Sequence, residues 1–352
     1  MRIINSSVVQ IEQSPGMQGV YEMIEEAGRT CYKSIGTRYF RIPSKNTLDD
    51  KTTEMINKLK LDSRVSIKQG PFFDKSYYIS IPNKFIKEYE HLQTFTEEKK
   101  SDSPLYENLT AREFVEMLTK NGHGAMLEHG TIYLSNIYET SDINGWMHSI
   151  GPKYASNRFS IVNLEDCMDF QTIYITTNLR VIAENDWWED LKFMCEPTKY
   201  HEKRVSFRFI CSRAIANEIV RHRVFSYAQE SSRYCNYSKS KFDNQITYIR
   251  PEWLSEDFIN NFYEVKDTSE EFLSKITYIN ALEESENFYK ELINAGRTPQ
   301  EARGVLPLDL KTELVMTGFK SDYNHFLELR CSKTAHPDIR VLAERVKEYL
   351  KE

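Results

Sequence analysis

The residues best suited to chemistry in this sequence lie between positions 203 and 250, where basic side chains concentrate. This window holds ten Lys and Arg residues against three acidic ones, which are Glu218, Glu230 and Asp243. Its formal charge is therefore +7, although the whole chain carries −6 at pH 7. Positive charge gathered in one segment of an acidic protein favours a binding site for an anion.

The centre of this window is an arginine-rich motif that runs from Arg221 through His222 to Arg223. If the chain becomes extended there, Arg221 and Arg223 point to the same side and can face one ligand. A guanidinium group binds a phosphate or a carboxylate through two parallel hydrogen bonds. The following loop adds further donors: Ser231, Ser232 and Arg233. The alternative is that these arginines hydrogen-bond the last carbonyl groups of a helix, and the pattern alone leaves it open.

The motif Arg221-His222-Arg223, followed by seven residues and then Ser231, resembles the signature of flavin-dependent thymidylate synthases. Further segments resemble the same family in order and spacing: residues 28–32, 122–129, 306–308, 325–330 and 335–340. A single arginine motif is a weak signal, whereas several segments in the family's order are specific. The resemblance therefore extends from the N-terminal region to the C-terminal region of the chain.

The resemblance implies a reaction, a fold and an assembly. Such enzymes convert dUMP to dTMP, with methylene-tetrahydrofolate as carbon donor and NADPH as the reductant of a bound FAD. They share an α+β fold with a central, mostly antiparallel sheet flanked by helices, and form homotetramers with active sites between subunits. We therefore expect FAD as cofactor and dUMP, folate and NADPH as partners. Neither nucleic acid nor a membrane is expected as a partner.

The resemblance also implies roles for individual residues. Residues at positions that bind dUMP in the family are Glu218, Arg221, Gln229, Glu230, Ser231, Ser232, Arg233, Arg303 and Arg330. Residues at positions that contact FAD are His129, Thr131, Arg221, His222, Arg223, Gln229 and His325. Arg330 matches the catalytic residue that favours ionisation at uracil N3. A guanidinium keeps its proton and stabilises an anionic ring, which makes C5 nucleophilic without a cysteine adduct.

Two segments depart from the family pattern. Residues 319–321 read Phe-Lys-Ser, where the family has an Asn-x-Arg segment that contacts the flavin, so an amide and a guanidinium are lost. His336 follows Ala335, where the family usually has glutamine. The sequence thus predicts altered flavin contacts near the C-terminus.

Three of the assigned residues have structural alternatives that the sequence leaves open. Ser231 can cap a turn, and His325 can be a hydrogen-bonded core histidine on an otherwise apolar helix face. Arg330 can pair with Glu328 or Asp338. Each alternative would remove that residue from direct contact with a ligand.

Three other functions are also open from the sequence. Residues 231–242 interleave tyrosines with Arg and Lys, which is typical of proteins that bind single-stranded nucleic acid by stacking. The negative net charge and the lack of RNP, KH and zinc-knuckle patterns argue against that function. A non-catalytic relative is the second alternative, indicated by Phe319 and His336. The third is the same chemistry on a different pyrimidine or with a hydroxymethyl product.

Composition limits the class of protein. The chain has 352 residues, 40% of them hydrophobic and 12% aromatic, which is enough to build a folded core. We expect neither a transmembrane segment nor a signal peptide, because no apolar run is long enough. The six cysteines form no C-x-x-C pair, so reduced thiols and a cytoplasmic protein are expected. No metal site is expected, because the histidines lack the H-x-x-x-H spacing.

The elements that must position these residues are predicted from the spacing of apolar residues. Helices are predicted over residues 16–34, with a break near Gly28, and from a capping box at Thr110 to about Asn121. Strands are predicted at residues 130–138, 171–177 and 205–209, with a polar connection over about 139–170. Further helices are predicted at residues 212–222, 269–295, 299–304, 309–318 and 322–332 and from Pro337. We therefore expect one α+β domain over residues 1–352, with insertions at about 36–105 and 138–170.

Overall fold

Helices and antiparallel sheets alternate irregularly along the chain, which makes this an α+β protein. A computed structural model describes residues 1–33, 37–42, 50–69, 77–82, 88, 109–139, 145–167, 169–261 and 267–351. The helices are α1 (Gly16–Tyr32), α2 (Asp50–Lys60), α3 (Leu109–Lys120), α4 (Gly124–Leu127), α5 (Gly145–His148), α6 (Gly151–Ala155), α7 (Leu179–Asn185), α8 (Arg213–Ile219), α9 (Glu256–Asn261), α10 (Glu270–Asn294), α11 (Pro299–Ala302), α12 (Tyr323–Arg330) and α13 (Pro337–Lys351). Short 3₁₀ helices span Trp188–Phe193, Ser240–Phe242, Arg303–Val305 and Lys320–Asp322.

In the described part of the chain, the strands form one main sheet and three smaller ones. They are β1 (Arg2–Ile4), β2 (Ser7–Ile11), β3 (Thr37–Ile42), β4 (Ser66–Gln69), β5 (Tyr77–Pro82), β6 (Thr131–Glu139), β7 (Ile161–Cys167), β8 (Phe170–Asn178), β9 (Arg204–Ser212), β10 (Ser226–Gln229), β11 (Thr247–Ile249) and β12 (Lys311–Phe319). The main sheet is antiparallel with the order β10-β12-β9-β2. The smaller sheets are β6-β8-β7, β3-β5-β4 and the parallel pair β1-β11.

The main sheet is covered by helices on both faces. Phe207 and Phe209 of β9 pack with Leu314 and Met316 of β12 against α8, α12 and α13. On the opposite face, Val315 packs with apolar residues of α1 and β10. A separate core lies between the sheet β6-β8-β7 and helices α1, α3 and α7. Among the described residues, no helix is both long and apolar enough to cross a membrane.

The predicted helix at residues 309–318 is wrong, because this segment is the strand β12 in the middle of the main sheet. Both faces of β12 are buried, so its apolar residues follow each other without the alternation of a half-exposed strand. A short apolar run of that kind has no period that separates a helix from a strand. The β-branched residues Thr312, Val315 and Thr317 were the available signal for a strand.

The predicted break near Gly28 is also wrong, because α1 continues through this residue to Tyr32. A Cβ atom at Gly28 would lie 2.7 Å from the ring of Phe114 in α3. Glycine therefore allows α1 and α3 to approach closely. The helix ends where Lys33 adopts a left-handed conformation with φ of 49°.

Most of the other predicted elements are confirmed. Strands β6, β8 and β9 lie where expected, and α10 begins at the Ser269 cap and ends before Gly296, whose φ is 86°. Helix α3 begins at Leu109, before the predicted cap, and the Thr110 side chain lies outside the described residues. Helix α8 ends at Ile219, earlier than predicted.

The two predicted insertions are described to different extents. The connection predicted over 139–170 contains a strand that the sequence analysis missed, β7, which pairs along its length with β8. Within residues 36–105 the structure describes α2 and the sheet β3-β5-β4. Residues 61–65 and 88 are also described, and the other residues of that predicted insertion lie outside the described part of the chain.

Candidate active site

Arg330, the last residue of α12, is the centre of a cluster that joins α12 to the end of α8. Its Nε donates to Nε2 of His222 at 2.8 Å, and its Nη1 donates to Oε2 of Glu218 at 2.5 Å. Its Nη2 donates to the backbone oxygen of Glu218 at 3.1 Å. The alternative pairing of Arg330 with Glu328 or Asp338 is therefore wrong. Three of the predicted site residues are brought together here.

His222 is held neutral by this arrangement. Its Nε2 accepts a hydrogen bond from a guanidinium that does not lose its proton, so the ring hydrogen is assigned to Nδ1. Burial, together with the positive charge of Arg330 and the nearby His325, lowers the pKa of His222 to about 4. The ring of Phe326 packs edge-on against it at 5.0 Å.

His325 lies next to His222 at the surface. Its ring centroid is 6.3 Å from that of His222, and its side chain is 68% exposed. The alternative of a core histidine is therefore wrong for His325. An exposed imidazole beside the Arg330 cluster remains available to a ligand.

The two arginines that flank His222 differ in their contacts. Arg223 is exposed, and its Nη1 donates to the backbone oxygen of Val220 at 2.9 Å, as expected for an arginine at a helix end. Arg221 is exposed and makes no side-chain hydrogen bond or ion pair with the described residues. The guanidinium of Arg221 is therefore the freer of the two for binding an anion.

The loop after β10 is anchored to α1 and α11. The Ser231 amide donates to the backbone oxygen of Cys31 at 2.9 Å, and its hydroxyl accepts weakly from the Arg233 amide at 3.4 Å. Buried Ser232 accepts from Nη1 of Arg303 at 3.3 Å, and Nε of Arg233 donates to Gln300 at 2.9 Å. Four of the predicted dUMP residues, Ser231, Ser232, Arg233 and Arg303, are thus gathered at one place.

Glu230 and Gln229, which precede this loop, face the protein. The Glu230 side chain is 1% exposed, and its carboxylate accepts from Nζ of Lys311 at 2.9 Å and from the hydroxyl of Tyr237 at 3.0 Å. Gln229 donates to Thr312 at 3.4 Å and is half-buried. The Glu230 carboxylate is directed at the chain's own donors, so its position favours a structural role over a contact with dUMP.

Lys311 belongs to a compact group of charges that includes Glu313 and Lys33. Burial alone would raise the pKa of Glu313, but Lys311 and Lys33 lower it to about 2. Lys33 forms an ion pair with Glu313, and its Nζ also lies 3.8 Å from Glu230. This group fixes the end of α1 against β10 and β12, next to the Ser231 loop.

The predicted flavin residues His129 and Thr131 lie in a second cluster, at the junction of β6 with the main sheet. His129 is fully buried, and its Nδ1 lies 2.8 Å from the hydroxyl of Thr317 in β12. Burial and the neighbouring Arg204 lower the pKa of His129 to about 3. Gln13 holds the backbone of Thr131 through two hydrogen bonds of 2.8 Å.

Strand β10 lies between the two clusters. The hydroxyl of Tyr227 donates to the backbone oxygens of Ile219 and His222 at 2.8 and 3.1 Å, on the Arg330 side. The hydroxyl of Ser226 donates to Oε2 of Glu128 at 2.5 Å, on the His129 side, and Glu128 also pairs with Arg180. The motif around residues 221–223 is therefore continuous with a strand that contacts both clusters.

The residues that depart from the family pattern have structural partners here. Phe319 ends β12 and is buried, with the guanidinium of Arg204 5.6 Å above its ring. The Ser321 amide donates to Glu202 at 3.0 Å. Nδ1 of His336 accepts from the Asp338 amide at 3.3 Å, which caps the start of α13.

Glu128 and Arg204 are the residues at this site that sequence reasoning missed. Glu128 lies within residues 122–129, which resemble the family, and its carboxylate links Ser226 to Arg180. Arg204 was counted only as part of the positive charge. It comes directly before the strand predicted at residues 205–209, which gave a partial signal, because a charged residue there lies at the edge of the core.

No metal centre is evident in the described part of the chain, where no group of three or more His, Cys, Asp or Glu side chains is placed to hold an ion. The candidate site is instead rich in guanidinium, imidazole and hydroxyl groups. Such donors suit an anionic or multiply hydrogen-bonded organic ligand.

The chain is similar to known proteins over part of its length. Residues 201–352 match the family described as "Thymidylate synthase complementing protein". The match covers the C-terminal part of the chain, which is therefore similar to that family. It contains every predicted site residue except His129 and Thr131.

Curated relatives support the same assignment. The flavin-dependent thymidylate synthase of Pyrococcus furiosus is 30% identical over 138 residues, which cover 39% of this chain and 50% of the relative. That of Corynebacterium efficiens is 33% identical over 144 residues, which cover 40% of this chain and 54% of the relative. The chain thus spans about half the length of these relatives.

A solved structure is similar more distantly. The UMP/dUMP methylase PolB from Streptomyces cacaoi, bound with 5-Br dUMP, is 20% identical, with a TM-score of 0.33. The match covers 42% of this chain and 64% of that chain. A TM-score this low does not establish a common fold.

Proposed function

We propose that the protein is a flavin-dependent thymidylate synthase that methylates dUMP to dTMP. Methylene-tetrahydrofolate is the carbon donor, and NADPH reduces the FAD. The observation that carries this proposal is the cluster of Arg330, Glu218 and His222, which lies within the segment that matches the thymidylate synthase complementing protein family.

The dUMP phosphate binds at the loop formed by Ser231, Ser232, Arg233 and Arg303. Support comes from the convergence of two guanidinium groups and two hydroxyls on one loop, which α1 and α11 hold in place. Arg221, exposed and unpaired among the described residues, adds a further cation toward the nucleotide. Guanidinium groups are suited to phosphate because they present parallel donors.

Arg330 stabilises the uracil ring as an anion. Nη1 and Nη2 of Arg330 each donate one N–H to Glu218, and the second N–H on each nitrogen remains for the uracil base. The permanent charge of the guanidinium favours loss of the N3 proton, which makes C5 more nucleophilic. Glu218 and His222 fix the orientation of Arg330, so the donors need not reorganise during the reaction.

The residues that would hold the flavin are His129, Thr131, Arg221, His222, Arg223, Gln229 and His325. When bound, FAD supplies the hydride that completes reduction of the transferred carbon to a methyl group. The donor set fits such a cofactor, because His222 is neutral with its Nδ1–H outside the Arg330 contact, and His325 and Arg221 are exposed. A neutral His222 donates to the flavin without adding charge.

The whole chain forms one domain, and its N-terminal half contributes to the site. Support comes from the contacts of Cys31 with Ser231, of Glu128 with Ser226 and of His129 with Thr317, each of which joins an early segment to the main sheet. By resemblance, the active protein is a cytoplasmic homotetramer. Exposed Arg221 and His325 leave one side of the site open for a second subunit.

The test is product formation by the full chain. The purified protein is incubated without oxygen with FAD, NADPH, methylene-tetrahydrofolate and dUMP, and nucleotides are identified by mass spectrometry. We expect dTMP, and its absence when any one component is omitted. A protein that retains FAD but forms no dTMP, or forms a hydroxymethyl product instead, would contradict the proposed reaction.

A further inference from the structure

Arg204 carries a positive charge at the predicted flavin cluster without an acidic partner in direct contact. Its Nη1 donates to the backbone oxygen of Glu128 at 2.9 Å and to the hydroxyl of Thr131 at 3.4 Å, both neutral acceptors. Its Nε is buried and has no acceptor among the described residues. Within the described part of the chain, Arg204 makes no ion pair.

The nearest carboxylates do not compensate this charge fully. Glu128 is engaged by Arg180 and Ser226, and Asp322 acts on Arg204 only from beyond hydrogen-bond distance. Arg208, four residues along the same strand, also has a buried Nε without an acceptor among the described residues, but it differs from Arg204 in forming an ion pair with Glu26. Burial lowers the pKa of Arg204 to about 10, so the group stays charged at neutral pH but is held at a cost.

Arg204 lies next to residues 319–321, the segment that departs from the family's Asn-x-Arg pattern. Arg204 and Phe319 are cross-strand partners at the end of the main sheet, and the guanidinium lies over the phenyl ring at 5.6 Å. The resemblance predicts an amide and a guanidinium at positions 319 and 321, where this chain has Phe319 and Ser321. The neighbouring strand thus brings a guanidinium to the place where one is missing from the segment itself.

We propose that Arg204 binds a phosphate group of the flavin dinucleotide and takes over the role of the guanidinium absent from position 321. The inference rests on the proposed function, because it assumes that FAD is the cofactor. Nη2 has no hydrogen bond to the described residues, so it is the donor available to the ligand. The stacked Phe319 ring fixes the plane of the guanidinium and keeps water from one of its faces.

The test compares flavins with and without phosphate. Quenching of flavin fluorescence gives the affinity of the flavin-free protein for FAD and for riboflavin, in the wild type, Arg204→Gln and the matched control Arg208→Gln. We expect Arg204→Gln to weaken FAD binding by about ten- to hundredfold and to leave riboflavin binding unchanged. Arg208→Gln should change neither. The FAD affinity of Arg204→Gln should also depend less on ionic strength than that of the wild type.

Several results would overturn the proposal. One is an unchanged FAD affinity in Arg204→Gln, and another is an equal loss for riboflavin, which would assign Arg204 to packing. Calorimetry with dUMP and with NADPH distinguishes other phosphate sources, and a loss confined to either of these ligands would also overturn it. Arg204→Lys, which keeps the charge, covers the case in which Arg204→Gln fails to fold, and should bind FAD with intermediate affinity. If the wild type binds no FAD at all, the proposed function fails as well.

Discussion

Two guanidinium groups, those of Arg330 and Arg204, lie at the candidate site in opposite electrostatic settings. Arg330, at the end of α12, contacts the carboxylate of Glu218 and the ring of His222. Among the described residues, the guanidinium of Arg204 hydrogen-bonds a carbonyl and a hydroxyl, and it lies over a phenyl ring at the end of the main sheet. Under the proposed function, Glu218 and His222 orient Arg330 for the reaction, whereas the charge of Arg204 is left for a ligand to neutralise.

Removal of the Arg330 side chain should lower the rate of the reaction strongly and change the stability of the fold little. Arg330→Ala should lower the rate of dTMP formation by about a thousandfold, because a donor positioned on developing negative charge is lost. The melting temperature should change little, since the Glu218 side chain is 31% exposed and water can solvate it. Turnover is measured together with thermal unfolding, and Arg345→Ala, which removes an exposed arginine of α13, is the control. Near-normal turnover in Arg330→Ala would contradict the catalytic assignment.

His129, whose pKa is lowered by burial and by Arg204, should make the stability of the protein depend on pH. In the folded protein His129 has a pKa of about 3, below the ordinary value of 6.5. As the pH falls from 6.5 toward 3, the unfolded chain binds a proton that the folded chain does not, so stability is lost over this range. The free energy of unfolding from urea titrations should fall by a few kcal/mol in the wild type. His129→Asn should show a shallower dependence, and an identical slope in both proteins would refute the assignment.

Glu218 distinguishes Arg330 from Arg204, because it gives Arg330 a carboxylate partner, and Arg204 has no such partner among the described residues. Glu218→Gln keeps an oxygen for Nη1 of Arg330 but removes the negative charge. We expect kcat to stay within about tenfold of the wild type, and its acidic limb to move to lower pH, because the uncompensated guanidinium favours ionisation of N3 more strongly. Glu218→Ala, which removes the oxygen as well, should lower kcat further. Glu348→Gln on the exposed side of α13 is the control. An unmoved or opposite limb in Glu218→Gln would contradict the assigned role.

The smallest expected effect belongs to Ser231. Loss of its hydroxyl in Ser231→Ala removes one donor to the nucleotide and the weak contact with the Arg233 amide. The affinity for dUMP should fall by about three- to tenfold, which is the range of one hydrogen bond, while FAD binding is retained. Calorimetry with each ligand measures both values. A larger loss for FAD than for dUMP would show that the loop was assigned to the wrong ligand.

The sequence analysis grouped several candidate residues that the structure also brings together, but it misassigned a strand of the sheet that carries them. Arg221-His222-Arg223 and the Ser231 loop were found because their residue types and spacing are specific, and the structure gathers the Ser231 loop with Arg303. Strand β12 was mistaken for a helix, since a strand buried on both faces has no period of its own. The contacts of His129 and Arg204 with β12 could not be predicted without that strand.

The sequence also did not predict which residues distant along the chain are hydrogen-bond partners. Nothing in the spacing of Glu218 and Arg330, which are 112 residues apart, indicates that they share a hydrogen bond. Glu230 was assigned to dUMP because it lies in the motif, whereas its carboxylate contacts Lys311 and Tyr237. A motif specifies which residues are near a site, but burial decides which of them face a ligand.

The most direct test of the central claim, that this chain binds and uses a flavin, is the visible absorbance spectrum of the purified protein after incubation with FAD and desalting. The account predicts a retained flavin spectrum that bleaches when NADPH is added without oxygen and that changes when dUMP is added. A colourless protein that cannot retain FAD would contradict the claim. It would indicate that the departures from the family pattern at Phe319 and His336 accompany a loss of flavin binding.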